Sequence, residues 1–269
     1  MLRELYYNFK KTINFPGSYL EKISVFSTLN RLLIKNRFSK NPKDKISVSF
    51  FGYKMYGYNY HTLYYLINEI FIANEYAFKT EVKEPLFIDC GANLGMSILY
   101  FKKMFPDSKI IAFEANPRVF DLLSLNIKEN KLSNVSIHNL ALYSEEKEIS
   151  FFAGDNTLEG SVISRRGGEN EIKVKATKLS NYLKDFDSVD LIKIDVEGAE
   201  KEIINDLFDS KTINKAKEYF IEYHHNIDGE ASNLSAFLQK FELNGFKYNI
   251  KSNFNKSDSF QDILIHLYK

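Results

Sequence analysis

Pro85-Leu-Phe-Ile-Asp-Cys-Gly-Ala-Asn-Leu-Gly-Met-Ser97 decides the fold. An apolar strand delivers Asp89, a turn carries Gly91 and Gly95, and a helix opens after it. Strand, glycine turn and helix in that order build a ligand crevice at the carboxyl end of the first strand of an α/β protein. Glycine in the turn removes the Cβ that would collide with a ligand lying on the main chain. The dinucleotide pattern G-x-G-x-x-G is not met, because Asn93 stands where a second small residue is needed. Asp89 adds a carboxylate where a pyrophosphate would be repelled. The loop suits a ligand with an ammonium and a sulfonium better than one with phosphates.

Outward from this stretch, strands and helices alternate, which is the pattern of a parallel sheet. Leu86–Asp89, Lys109–Glu114, Val135–Leu140, Asp190–Asp195 and Tyr219–His224 read as core strands. The predicted helices are Met96–Phe105, Arg118–Asn130 started by Pro117, Gly198–Phe208 and Ala231–Asn244. Between the third and fourth strands the rhythm breaks. Glu148–Ala153 and Glu171–Ala176 look like an antiparallel excursion around the polar loop Gly154–Asn170. Phe246–Lys251 and Asp262–Tyr268 supply the last strands as an antiparallel edge hairpin.

Upstream, Met1–Lys40 shows apolar residues near helical spacing, and Asn41-Pro42-Lys43-Asp44 is a turn. Ile46–Tyr58 alternates like a β-hairpin, and His61–Thr80 returns to helical spacing. Residues 1–80 thus form a cap of helices and hairpin, and residues 81–269 the α/β domain. Tyr53, Tyr56 and Tyr58 of the hairpin are open to three uses: stacking on a sugar, packing in the core, or a homodimer contact.

Composition narrows the function. The 269 residues carry 36 basic and 35 acidic side chains, net +1, with no basic stripe for nucleic acid. Cys90 is the lone cysteine, so no internal disulfide forms and a reducing, cytoplasmic setting is expected. Charged and amide residues break every apolar run in Met1–Lys40, so no signal peptide is read there. Leu63–Ala73 is shorter than the ~20 residues of a membrane span and holds Asn68 and Glu69.

The side chains at strand ends carry the chemistry. S-adenosylmethionine answers the charge requirement of the first loop, with Asp89, Gly91, Asn93 and Gly95 around it. Glu114, with Ala115 beside it, ends the second strand about 20 residues past the glycines, where a carboxylate accepts from both ribose hydroxyls. Asn139 and Ala141 follow the third strand. Ala141 leaves room for a flat ring, and Asn139 either bonds the ring edge or merely ends a strand.

The run Leu191-Ile-Lys-Ile-Asp-Val-Glu-Gly-Ala-Glu200 brings Asp195 and Glu197 to the crevice, on one face if the strand persists that far. Glu200 fits helix capping equally well. Glu222 and His224 share a face of the fifth strand while His225 points away. His224, Asp195 and Glu222 are the candidates for catalysis, His224 or Asp195 as general base. Asp195, Glu197 and Glu222 also offer the all-oxygen set that Mg²⁺ favours. Holding the hydroxyls of a sugar by hydrogen bonds explains the same three carboxylates and ranks ahead of a metal.

Phe87-Ile-Asp-Cys-Gly-Ala-Asn-Leu-Gly95, Ala112-Phe-Glu-Ala-Asn-Pro117, Asn139-Leu-Ala-Leu142, Ile192-Lys-Ile-Asp-Val-Glu-Gly-Ala-Glu200 and Ile221-Glu-Tyr-His224 together resemble the FkbM family of S-adenosylmethionine-dependent methyltransferases. The resemblance implies a seven-stranded Rossmann-like class I sheet and O-methylation of a small-molecule or saccharide acceptor. It leaves the acceptor itself open, since residues 1–80 and the loop Gly154–Asn170 lie outside the matching motifs. Two other classes compete. A nicotinamide oxidoreductase is disfavoured by Asn93. A catalytically silent S-adenosylmethionine-binding module is disfavoured because every acidic position is present.

Overall fold

Residues 2–39, 45–154, 160–163, 168–227, 233–252 and 260–269 are described by the computed structural model of the chain. The apolar runs predicted as core strands all enter one sheet. In chain order the elements begin with α1 (Leu2–Asn14), α2 (Tyr19–Phe38), the hairpin β1 (Ile46–Phe50) and β2 (Tyr53–Gly57), and α3 (Tyr60–Leu66). The α/β part follows with β3 (Leu86–Cys90), α4 (Met96–Met104), β4 (Lys109–Phe113), α5 (Pro117–Glu129) and β5 (Val135–His138). A side excursion holds β6 (Ala141–Leu142), β7 (Lys147–Ala153), β8 (Gly160–Ser161) and β9 (Asn170–Thr177). The chain closes with α6 (Leu179–Leu183), β10 (Val189–Ile194), α7 (Glu200–Asp209), β11 (Ala216–His225), α8 (Leu234–Glu242), β12 (Lys247–Ser252) and β13 (Gln261–Tyr268).

The main sheet has seven strands in the order β12-β13-β11-β10-β3-β4-β5. The five strands from β5 to β11 are parallel, and β13 runs antiparallel to both of its neighbours. This is the Rossmann-like, seven-stranded sheet expected. The closing pair does form a hairpin, but its last strand is the inner one. β13 pairs with β11 over eight positions, from Glu218↔Tyr268 to His225↔Gln261, and leaves β12 on the edge. Ile263, Ile265 and Leu267 of β13 are buried, whereas β12 exposes nearly every residue, so the more apolar strand takes the inner place.

Two expectations need adjusting. The third strand stops at His138 rather than Leu140, because the Asn139 side chain ties back to the end of β4 and the chain leaves the sheet. It then enters a second, four-stranded sheet in the order β6-β9-β7-β8, with β7 and β9 the antiparallel pair predicted. The helix read over His61–Thr80 ends early: α3 widens into a π-helical turn, Ile67–Ile72, and Asn74 takes φ 56°, a left-handed conformation that stops a helix. The turn Asn41–Asp44, most of the loop Gly154–Asn170, the start of the predicted helix Ala231–Asn244 and most of the link Ser252–Gln261 lie outside the described residues.

Local sequence explains the helix starts. Ser18 and Glu21 form a capping box at α2, and Asn116 caps α5 with Pro117 in the first turn. The N-terminal elements share one hydrophobic core with α4, α5 and β3: Phe50, Met55 and Phe71 pack in the same cluster as Phe87, Phe101 and Leu122. Asn126 of α5 sews the hairpin down, accepting from Tyr56 N at 2.7 Å and donating to Tyr56 O at 3.1 Å and Leu94 O at 2.8 Å. The hairpin tyrosines go into this packing: Tyr58 is buried under Arg118, and the Tyr56 hydroxyl donates to Glu129. Among the described residues no helix is long and apolar enough to cross a membrane.

Candidate active site

A cleft opens at the carboxyl ends of β3, β4 and β10. Its floor is the glycine loop. Gly91 N and Ala92 N both donate to Phe113 O, and Asp195 N donates to Cys90 O, so the loop is stitched to both neighbouring strands. Gly91 has φ +84°, and a Cβ there would lie 1.7 Å from Asp195 O. At Gly95 (φ +83°) a Cβ would meet Leu123 Cδ1 at 2.7 Å. The loop glycines are thus demanded by the protein's own close packing as well as by room for a ligand. Asn93 also takes a left-handed conformation, φ 49°, which asparagine tolerates better than most residues.

Of the expected ligand residues, Gly91, Asn93, Glu114, Ala115, Ala141 and Asp195 line this cleft. Asp89, Gly95 and Asn139 do not. Asp89 is completely buried beneath the loop, accepting from the Ser97 hydroxyl and pairing with Lys193 at 3.2 Å. Asn139 turns its amide to Glu114 O (2.8 Å) and Ala115 O (3.1 Å), holding the β4 end in shape rather than facing a ring edge. Leu140, Leu142, Phe113 and Val119 give the cleft apolar walls near Ala141. Such walls with a few convergent polar groups are what a small-molecule site presents.

Glu114 closes one side. Its two carboxylate oxygens accept from Asn93 N at 2.9 Å and Asn116 N at 2.8 Å. Burial pushes its pKa up to about 7, against these backbone donors, which pull it down. Each oxygen keeps a lone pair for a further donor.

Lys193 is the residue that inspection of the sequence passed over. It sits in β10, whose six residues are all buried. Its ammonium donates to Gly91 O at 2.7 Å and lies 3.2 Å from Asp89 and 3.4 Å from Asp195. Burial alone would lower its pKa, but Asp89 and Asp195 outweigh that and hold it well above the ordinary value. A lysine inside an otherwise apolar strand was the available signal, since a buried cation needs partners.

Beyond Asp195 the site turns acidic. β10 ends at Ile194, so Asp195 and Glu197 are brought together by a turn instead of strand alternation. Glu197 is itself left-handed at φ 57°, and the Ser161 hydroxyl donates to its carbonyl. Strained backbone of this kind concentrates at functional sites. Glu200, the first residue of α7, accepts from Gly198 N at 2.9 Å and Val196 N at 3.3 Å, so it ties down the turn before the helix and caps none of the helix's own amides. The same oxygen lies 2.8 Å from His224 Nδ1.

His224 is enclosed. Its side chain has no solvent exposure, and Nε2 faces Glu197 at 3.2 Å, Asp262 at 3.7 Å and Glu222 at 3.8 Å. Burial disfavours its charge, yet Glu200 and Glu197 overcome this and raise its pKa well above the ordinary value. Glu222 is also raised well above its usual range, by burial first and Asp195 second, with His224 pulling the other way. Asp195, Glu197 and His224 present ligand atoms within 4.8 Å of one another, and so do Glu222, His224 and Asp262. These are the groups able to hold a divalent ion. The expected trio of Asp195, Glu197 and Glu222 is not one such cluster among the described residues; Glu222 groups instead with His224 and Asp262.

A second cleft abuts this cluster, lined by Tyr65, Glu69, Glu75, Lys251, Glu222 and Asp262 among others. Glu69, in the π-helical turn, has its pKa pushed up to about 7 by burial. Asp195 belongs to the first cleft and Glu222 to the second, and their charges act on each other.

The family profile described as "Methyltransferase FkbM domain" matches residues 89–248. Methyltransferase sdnD of Sordaria araneosa is 30% identical over 173 residues, covering 52% of this chain and 67% of that protein. The 2-O-methyltransferase NoeI of Sinorhizobium fredii is 25% identical over 163 residues, covering 53% and 65%. Among solved structures, the methyltransferase FkbM of Methylobacillus flagellatus KT aligns with 98% of this chain at a TM-score of 0.51 and 11% identity. The chain spans 58% of that protein's length, and at such identity the likeness is one of fold.

Proposed function

The chain belongs to the FkbM methyltransferase family, and from that premise we propose that it methylates a hydroxyl of a sugar, glycan or related metabolite, using S-adenosylmethionine. The observation that carries this reading is a pair of clefts on either side of one His224-centred cluster, with Asp195 and Glu197 lining the first and Glu222 and Asp262 the second. One is glycine-floored and apolar-walled, and the other is lined by carboxylates. The residues fit the donor. Glu114 has acceptor capacity left for ribose hydroxyls, Ala115 and Ala141 leave a slot for a flat base, and Asp195 supplies negative charge toward a cationic centre. The relative NoeI carries 2-O-methyl transfer in its name, which agrees with a hydroxyl acceptor.

The donor, when bound, supplies an activated methyl group whose C–S bond breaks as a C–O bond forms. The protein's share is alignment and proton removal. Asp195, at the edge of the first cleft within the His224 cluster, orients the acceptor hydroxyl. Glu222 takes the proton: it faces the acceptor cleft, and its raised pKa makes it a stronger base than an ordinary carboxylate. His224, proposed from sequence as a base, serves better as an imidazolium anchor, closed off between Glu200 and Glu197.

Calorimetry should show S-adenosylmethionine binding and NADH not binding. A panel of sugars and nucleotide-sugars should then reveal methyl transfer that survives excess chelator. NADH binding in place of S-adenosylmethionine would overturn the cofactor. Transfer abolished by chelator and restored by Mg²⁺ would replace the carboxylate mechanism with a metal one. Binding without turnover on any hydroxylated acceptor would favour a silent module.

A further inference from the structure

α1 is inside out. Its buried residues are the polar pair Asn8 and Thr12, and its apolar stripe Leu2, Tyr6, Phe9 and Ile13 faces outward. The spacing of that stripe, four, three and four residues, is one face of a helix. The orientation is fixed by hydrogen bonds. Asn8 donates to Asn30 of α2 at 2.9 Å and accepts from the Tyr64 hydroxyl of α3 at 2.6 Å. A helix pinned by its polar side cannot roll its apolar side inward.

α2 extends the same surface. Leu20 (76% exposed), Ile23, Ile34 and Phe38 (73% exposed) point outward, and Phe26 meets Phe9 edge-on with centroids 6.3 Å apart. Contiguous apolar patches of this kind mark interaction surfaces. Charge identifies the occupant. Residues 2–38 hold seven basic and two acidic side chains; Lys11, Arg31 and Lys35 turn to Asn68, Ser49 O and the Tyr60 ring, and Glu21 pairs with Lys103, which leaves Arg3, Lys10, Lys22 and Arg37 against Glu4. On α1 the basic groups flank the stripe: Lys10 lies over the Tyr6 ring and Arg3 over Tyr7.

We propose that the outward face of α1 and α2 docks on an anionic membrane surface. Apolar and aromatic side chains enter the headgroup boundary while basic side chains at the rim meet the lipid charge. A second copy fits less well, because a two-fold contact sets the same surface against itself, and here that opposes two basic rims. The arrangement also connects to the site. A groove runs from Tyr7 and Lys11 to Tyr65 and Glu69, and the latter two also line the cleft that holds Glu222 and Asp262. A docked chain would hold that cleft near the bilayer.

The test is sedimentation of the full chain with vesicles of phosphatidylcholine alone or mixed with phosphatidylglycerol, in low and high salt. Binding should be about tenfold or more stronger to the anionic vesicles and weaken with salt. Phe9→Ser with Ile13→Ser should cut it about tenfold, and Arg3→Ala with Lys10→Ala should remove the salt-dependent part. Circular dichroism and donor binding verify that the variants fold. Failure of folded wild type to sediment with anionic vesicles, or sedimentation indifferent to Phe9→Ser with Ile13→Ser, overturns the proposal. So does a stable dimer that those substitutions dissociate while vesicles stay unbound, which would assign the face to a second copy.

Discussion

The two walls of the site are built on opposite plans. On the glycine-loop wall each named polar group is committed to the protein's own frame. Asp89 holds Ser97 and Lys193, Asn139 holds the β4 end, and Glu114 takes two backbone N–H groups. On the acceptor wall, Glu197, Glu200, Glu222 and Asp262 crowd one buried imidazole within 3.8 Å, and proton affinities are displaced upward. The first wall is preorganised to receive a fixed shape. The second is a charge cluster poised to exchange a proton. Transfer between two substrates needs both, since alignment and proton removal are separate demands.

Glu222→Gln tests the division most severely. It keeps the shape of the acceptor wall and removes its base, so turnover should fall by about 10²-fold or more while donor affinity holds. Undiminished turnover would move the proton to another group. Lys193→Met attacks the link between the walls. It leaves Asp89 buried without its cation and should cost about 3–5 kcal/mol in a denaturant titration. A loss under 1 kcal/mol would mean that the strand cation is dispensable.

The smallest effect is expected at Glu114. Glu114→Gln should weaken donor binding about tenfold by calorimetry. Because its pKa is pushed up to about 7, the empty site carries a proton there at lower pH. Hydroxyls donating to the carboxylate favour the ionised form, so donor affinity should rise as pH climbs through about 7 and level off above. The sign for stability is opposite. A carboxyl with a raised folded-state pKa contributes most below the ordinary carboxylate range and loses that contribution as pH rises to about 7. Donor affinity that is flat from pH 5 to 9 would remove Glu114 from the binding role.

The sequence by itself determined the sheet, because strand and helix follow from short-range patterns. Apolar runs bounded by Gly91, by Asn116-Pro117 and by Gly245 can be read without knowing what they touch. It also marked the chemistry at strand ends, since topology sends those ends to one crevice. Tertiary structure alone decided how each side chain is used. Asp89 stands in the expected motif yet is buried on Ser97 and Lys193, and Asn139, though exposed, spends its amide on the end of β4. A lysine in an apolar strand hinted at Lys193, but its partners appear only when β3 and β10 lie side by side and bring Asp89, Gly91 and Asp195 around it. The outward apolar face of α1 was equally hidden. Periodicity reports that a helix has two faces, and only the contacts of Asn8 with Asn30 and Tyr64 reveal which one is buried.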